Sequence, residues 1–335
     1  MNEFITMAHG SGGLFTSELI NNIFYKHFEN EFLSTGDDCA KLLIKNNKIA
    51  FTTDSFVITP IFFRGGDIGK LSICGTINDL VTSGAKPVYL SCSFIIEEGF
   101  LISDLEKIVI SMAKEVKKSN VKIVTGDTKV VPKGECDKIF INTTGIGLLD
   151  DDINISCKNA EVGNRIIVTG SIGDHGCSIL LDREFFGIET DIKSDCSSMD
   201  SIFEEIKYIG NDLKVLRDPT RGGLATVLNE IAIKSNVGIK IYENRIRIKD
   251  STRGICEIMG FDPLYMANEG KLVIIVSEKK AEETLEKLKK HKNGKESVII
   301  GEVISDYKKK VIMETIVGSN RIVDVMVGDQ LPRIC

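Results

Sequence analysis

The chain has 335 residues, 42% hydrophobic and 27% charged, a soluble globular balance with enough material for two domains. A net charge of −6 gives no basic footprint for nucleic acid, and no apolar run approaches the ~20 residues of a membrane span. The start, Met1-Asn2-Glu3-Phe4, lacks the basic and apolar regions of a secretion signal, so the expected compartment is the cytoplasm.

In chain order, His9-Gly10-Ser11-Gly12-Gly13 comes first, and its glycines let backbone N–H groups turn toward an anion. Leu19, Ile20, Ile23 and Phe24 share one face of a predicted helix over 16–28. Gly36-Asp37-Asp38-Cys39-Ala40 reads as an acidic turn. A strand over 48–53 then ends on Asp54, where a carboxylate is well placed for a hard cation or, more commonly, for a cap. Residues 67–84 read as a helix ended by Gly84, with Pro87 beyond it. Its interior Cys74-Gly75-Thr76 thins one face beside Asn78-Asp79, an unusual place for an acid that competes with the backbone. A strand over 88–96 follows. Ser103-Asp104-Leu105-Glu106 reads as a capping box opening an amphipathic helix. The strand over 121–125 runs into Gly126-Asp127-Thr128-Lys129. Asp54, Asp79 and Asp127 together suit Mg²⁺, which needs few carboxylates when nucleotide phosphates and water fill the other positions, and Lys129 is placed to neutralise a phosphate. No P-loop and no dinucleotide-binding glycine fingerprint is present.

The polar stretch 150–160 marks the expected domain boundary. A strand over 165–169 leads into Gly170-Ser171-Ile172-Gly173-Asp174-His175-Gly176 at a helix start. Asp218-Pro219-Thr220-Arg221-Gly222-Gly223 is a second glycine-rich helix start, here with an Arg suited to an anion. Asn268-Glu269-Gly270-Lys271 precedes an apolar strand over 272–276, so Glu269 reads as a strand-end acid or base or as a surface charge. A charged helix over 279–291 and strands near 297–303, 310–316 and 321–325 complete the second half.

The chain ends on Leu331-Pro332-Arg333-Ile334-Cys335. A terminal thiol is free to leave the surface and return, Pro332 narrows the hinge, and Arg333 offsets the terminal carboxylate. The nine cysteines are scattered with no C-x-x-C pair, which argues against a disulfide framework or structural zinc.

On these motifs, from His9–Gly13 to Pro332-Arg333-Ile334-Cys335, the chain resembles the HypE family of hydrogenase maturation proteins. That family lies within the PurM-like (aminoimidazole ribonucleotide synthetase-like) ATP-using superfamily. The motifs quoted also include Thr53-Asp54-Ser55, Gly69-Lys70-Leu71, Asn78-Asp79 and Val124–Val131. The resemblance implies an α+β fold with a dimerising, ATP-binding domain at 1–152, a second α/β domain at 153–328 and a mobile tail at 329–335. It implies ATP and Mg²⁺ as cofactors. Nucleotide contacts would come from Gly12, Gly13, Asp38, Asp54, Lys70, Asn78, Asp79, Asp127, Thr128 and Arg221. It implies a homodimer, a carbamoyltransferase partner, HypF, and a HypC–HypD scaffold complex.

The implied reaction is ATP-dependent dehydration of a carbamoyl group carried on the Cys335 sulfur, giving the S-cyanate that supplies cyanide to the iron of [NiFe] hydrogenase. Lys129 would stand by the transferring phosphoryl group, and Glu269 and His175 are both candidate bases. Selenophosphate synthetase and thiamine-phosphate kinase are the alternatives within the superfamily. No cysteine precedes Cys39, as the first would need, and neither explains the Pro-Arg-Ile-Cys end. A non-catalytic scaffold with a docking tail is the alternative outside it.

Overall fold

The structure, a computed structural model, describes residues 3–10, 14–33, 42, 48–183, 190–325 and 333–335. Gly12, Gly13 and Asp38 lie outside the described residues. The predicted N-terminal helix is present as α1 (Leu14–Leu19) and α2 (Lys26–Phe28), joined by a π-helical stretch at Ile20–Tyr25. Then come β1 (Ile49–Phe56), β2 (Phe62–Phe63), β3 (Gly66–Asp67), α3 (Ile68–Thr82), β4 (Ala85–Glu97), α4 (Ile102–Lys118), β5 (Lys122–Val131) and β6 (Ile139–Leu149). Strands β1-β6-β4-β5 form a four-stranded sheet in which only β4 and β5 are parallel.

The second half holds β7 (Arg165–Val168), α5 (Asp174–Arg183), α6 (Asp200–Ile206), β8 (Leu213–Arg217), α7 (Gly223–Ser235), β9 (Gly238–Tyr242) and α8 (Asp250–Met259). It continues with β10 (Val273–Val276), α9 (Glu278–Lys290), β11 (Val298–Ile304), β12 (Val311–Glu314) and β13 (Asn320–Val323). Its seven strands run β13-β12-β9-β11-β7-β10-β8, with only β12 and β9 parallel. The mixed architecture is the expected α+β fold. No helix among the described residues is long and apolar enough to cross a membrane.

Several sequence expectations change. Ser103 does not cap α4: the helix opens at Ile102 behind Leu101, with no side-chain cap, and Glu106 instead pairs with Lys26 and His27. Tertiary charge pairing has replaced the local box. Asp54 and Asp127 lie inside β1 and β5 rather than beyond strand ends. At Gly126 a Cβ would stand 2.2 Å from the Cys92 carbonyl oxygen, so glycine is what lets β5 continue against β4. Strands β2, β3, β6, β8 and β9 and helices α6 and α8 were not predicted.

α3 joins the two halves. Asp67 caps it by accepting from the Gly69 and Lys70 amides at 2.8 and 3.0 Å. Twelve of its fifteen residues are buried, so no stripe of it faces water. It packs on β1, β4, β6 and α4 on one side and on β8 and α6 of the second half on the other. One core cluster therefore runs through Leu71, Ile77 and Val81 into Met199, Ile202 and Phe203.

Asn78 fastens this joint. Its Nδ2 donates to the Ser197 and Glu269 carbonyls at 3.1 and 3.4 Å, and its Oδ1 accepts from the Met199 amide at 2.8 Å. Both ends of the amide are thus committed to the second half, so it serves the joint where a nucleotide contact was expected. Asn78→Ala should cost about 2 kcal/mol, because it leaves the Met199 amide buried without a partner. Urea denaturation would show this as a lower midpoint.

Candidate active site at the domain seam

Four carboxyl groups meet where α3 faces the second half. Asp54 stands on β1, Asp79 on α3, Asp218 just past β8, and Glu269 on the loop before β10. Gly75 keeps α3 close to β1: a Cβ there would stand 3.0 Å from the Phe56 ring and 3.8 Å from Asp54 Oδ2. Thr52 Oγ1 donates to Asp79 Oδ2 at 2.9 Å, and the Ser55 amide donates to Asp54 Oδ1 at 2.8 Å.

Burial raises the proton affinity of all four, and repulsion from neighbouring carboxylates adds to it at Asp79, Asp218 and Glu269. Burial, then the Asp218 and Asp54 charges, push Asp79 up to about 7. Burial raises Asp54, with Arg221 opposing, and burial raises Asp218 as well. Glu269, 3% exposed, is raised well above its ordinary value by burial and then by Asp218, Asp195 and Asp54. Its Oε1 is buried with no hydrogen-bond partner, which leaves an acceptor aimed at something the protein does not supply.

Asp195 orients Glu269. Its Oδ1 accepts from the Glu269 amide and its Oδ2 from Lys271 Nζ, both at 3.0 Å. Burial opposes its ionisation, but Lys271 and that amide hold it below the usual carboxylate range.

The expected metal set does not assemble within one chain. β1 and β5 are the two edges of the sheet, separated by β6 and β4, so Asp127 lies three strand spacings, roughly 14 Å, from the Asp54 row. Among the described residues no three His, Cys, Asp or Glu side chains could hold a metal by themselves. Lys129 pairs with Asp127 at 3.1 Å and is exposed. With Thr128 these two rim a cavity of about 590 Å³ floored by Phe24, Phe28 and Phe94. Lys70 donates to the Gly65 carbonyl at 2.9 Å. Arg221 stands on the turn before α7, close enough for its charge to act on Asp54.

The described tail residues are seated at the same seam. Cys335 accepts through a terminal carboxylate oxygen from the Val57 amide at 3.1 Å, and Val57 is three residues past Asp54 on the chain, roughly 10 Å along an extended backbone. Ile334 is buried within the joint core. Both ring nitrogens of His175 are engaged: Nδ1 meets Ser194 Oγ at 2.8 Å and Nε2 meets the Ile334 carbonyl at 2.9 Å. As a candidate base His175 therefore has no free nitrogen in this arrangement.

Asp195, Arg183 and Ser194 were missed because they lie in or beside segments with no periodic signal. Asp218 lay within a quoted motif, Asp218-Pro219-Thr220-Arg221-Gly222-Gly223, which was read for its Arg and glycines and not for its acid.

Comparison with known proteins places this geometry. Residues 36–149 match the N-terminal domain, and residues 161–314 the C-terminal domain, of AIR synthase related proteins. The carbamoyl dehydratase HypE of Azotobacter vinelandii is 45% identical over 100% of this chain and 98% of its own. The chain belongs to the HypE family. A crystal structure of hydrogenase maturation protein HypE in complex with ATP superposes with a TM-score of 0.95 at 45% identity, covering 98% of this chain and 99% of that one. HypE in a HypE–HypF complex matches with a TM-score of 0.82 at 49% identity, covering 92% and 99%.

The raised acids carry a pH signature. With a folded value of about 7 against 3.8 unfolded, Asp79 contributes stability at low pH that is lost as pH rises through 7. Asp79→Asn should therefore match wild type near pH 3.5 and exceed it by about 4 kcal/mol at pH 8, measured by urea denaturation without divalent cations.

Proposed function

We propose that this chain is a carbamoyl dehydratase. It uses ATP to convert an S-carboxamide on its own Cys335 into an S-cyanate, the source of the cyanide ligands of the [NiFe] hydrogenase iron. The observation that carries the reading is a C-terminal cysteine seated at an acidic domain seam, held by the amide of Val57, three residues past Asp54 on the chain.

An amide oxygen is a poor leaving group. Transfer of the γ-phosphoryl group of ATP to it makes it a good one. Expulsion of that oxygen with phosphate, and loss of both amide protons, leaves C≡N on sulfur with ADP and phosphate as co-products. Glu269 is the base in this reading: its raised proton affinity suits it to a weakly acidic N–H, and its unpartnered Oε1 is available. His175, engaged at both nitrogens, is left out of proton transfer.

The donor set fits Mg²⁺. Two or three mutually repelling carboxylates, Asp54, Asp79 and Asp218, are too few for a protein-only cage and suit an ion that keeps phosphate and water ligands. When bound, Mg²⁺ would spread the phosphate charge that builds up in transfer. Arg221 adds a fixed cation beside Asp54.

A homodimer accounts for the separated groups. The face of the first sheet away from α3 leaves Phe51 68%, Ile49 44% and Ile95 43% exposed, an apolar surface that a second copy would cover. Two-fold pairing of these faces can set the β5 edge of one copy against the β1 edge of the other. Asp127, Thr128 and Lys129 would then serve the partner's seam. We place the domains at 1–152 and 153–328 and the tail at 329–335, in a cytoplasmic protein. Cys335 would accept its carbamoyl group from a HypF carbamoyltransferase and deliver cyanide to a HypC–HypD scaffold.

Two measurements test this. With the carbamoyltransferase and its substrates, intact mass spectrometry should show one carbamoyl adduct on the C-terminal peptide, and Mg-ATP should then remove one water from it. Cys335→Ala should take up none; an adduct on an internal cysteine would sink the reading. Phe51→Glu should shift the sedimenting species from dimer to monomer with an unchanged circular dichroism spectrum, and a wild-type monomer at micromolar concentration would reject the dimer.

A further inference from the structure

We propose that His175 and Arg183, both on α5, form a seat that positions the tail for dehydration and whose hold on the tail opposes loading of Cys335 by a partner enzyme. The second half of this statement rests on the proposed function; the seat itself rests on geometry.

Each of the last three residues has a backbone oxygen with a donor. The Arg333 carbonyl accepts from the Thr59 amide at 3.3 Å and from Arg183 Nη2. The Ile334 carbonyl accepts from His175 Nε2 at 2.9 Å, and a terminal carboxylate oxygen of Cys335 accepts from the Val57 amide at 3.1 Å. In return Arg333 Nε donates to the Val57 carbonyl at 2.8 Å, so residues 333–335 lie along 57–59. Arg333 Nη1 also pairs with Asp137 at 2.8 Å. Arg183 Nε donates to the Thr59 carbonyl at 2.6 Å and so ties the two segments together.

The state of His175 follows from its partners. The Cys196 amide donates to Ser194 Oγ at 3.0 Å, which turns the Ser194 hydroxyl hydrogen toward Nδ1. A carbonyl only accepts, so the ring proton sits on Nε2 and points at Ile334. The ring is neutral and held in one tautomer: a fixed donor for a peptide carbonyl.

α5 is a rigid carrier for these groups. His175 stands in its first turn and Arg183 at its end, about 12 Å apart along the axis. Its N-terminus is held by Asp174, which accepts from Thr252 Oγ1 at 2.8 Å and Lys249 Nζ at 2.7 Å. A carbamoyltransferase that must enclose the Cys335 sulfur cannot do so while Ile334 is buried and three backbone oxygens are bound. Loading requires the tail out, and dehydration requires it in. A weaker seat should therefore help the first step and harm the second.

The experiment uses the full chain with three variants: Arg183→Met, His175→Phe, and His175→Gln, which restores an N–H donor. Alkylation of Cys335 by iodoacetamide, followed on the C-terminal peptide, should be about tenfold faster in Arg183→Met and His175→Phe, in keeping with loss of a buried hydrogen bond. It should return toward wild type in His175→Gln, while Cys157 alkylation stays constant in all. With the carbamoyltransferase, the first two variants should load at least as fast as wild type and lose water about tenfold more slowly. Unchanged Cys335 alkylation in both Arg183→Met and His175→Phe overturns the seat. Faster alkylation with slower loading overturns the opposition between the steps. A wild-type chain that takes up no carbamoyl group refutes the proposed function instead, and the alkylation rates still judge the seat.

Discussion

A helix with no solvent face must hand every polar side chain to a protein partner, and α3 is such a helix. Its backbone satisfies itself, and Lys70 and Thr82 at its ends donate to the Gly65 and Asp79 carbonyls, so what remains is buried Ser72, Thr76 and Asn78 and half-buried Asp79. Ser72 and Thr76 are absorbed locally, Ser72 by the Gly69 carbonyl at 2.9 Å and Thr76 by Thr143. Asn78 goes to the second half and makes the joint. Asp79 receives only Thr52, and an acid with one neutral donor in a half-buried place is held only weakly in its charged form. The arrangement of the two halves and the electrostatic tension at their seam thus have one origin.

That tension is directional. Asp54, Asp79, Asp218 and Glu269 come from four different elements: Asp54 raises the proton affinity of the other three, and Asp218 raises that of Asp79 and Glu269. A cluster of this kind is unfavourable in the protein alone and becomes favourable when cationic charge arrives. Asp195 stands beside it yet is ionised, because Lys271 neutralises it. One buried acid is thereby used to orient Glu269 through its amide while its neighbours are left to meet a ligand.

The tail is held by a different kind of interaction. Besides the Arg333 and Ile334 side chains, its contacts are made through backbone oxygens, and all of these are present whatever the Cys335 sulfur carries. A seat built on residues 333 and 334 and on the Cys335 carboxylate can receive free thiol, carboxamide and cyanate alike. Recognition of the cargo is left to groups at the seam, and retention of the carrier is left to α5 and the segment 57–59.

From the chain alone, the length, the alternating strands and helices, the Asp67–Gly84 helix and the terminal cysteine determined the α+β class, the two-part organisation and the family resemblance. These are local or periodic properties, and capping, turn and pattern signals act over a few residues. The sequence also pointed to Asp54, Asp79 and Glu269, because each is an acid in or beside an apolar element. It could not say that Asp127 lies on the opposite sheet edge, since strand order is set by long-range pairing that leaves no mark on β5 itself. It could not separate Glu269 from His175. In the packed structure both imidazole nitrogens are engaged, by Ser194 and Ile334, while the Glu269 carboxyl oxygen is unpartnered, and that difference is what supports the proposed choice of Glu269. Asp195 and Arg183 were illegible for the same reason: a charged side chain in an aperiodic segment acquires a role only when tertiary contacts bring it a partner from more than a hundred residues away, as Arg183 meets Arg333, or fix the loop that carries it, as Asp195 meets Lys271.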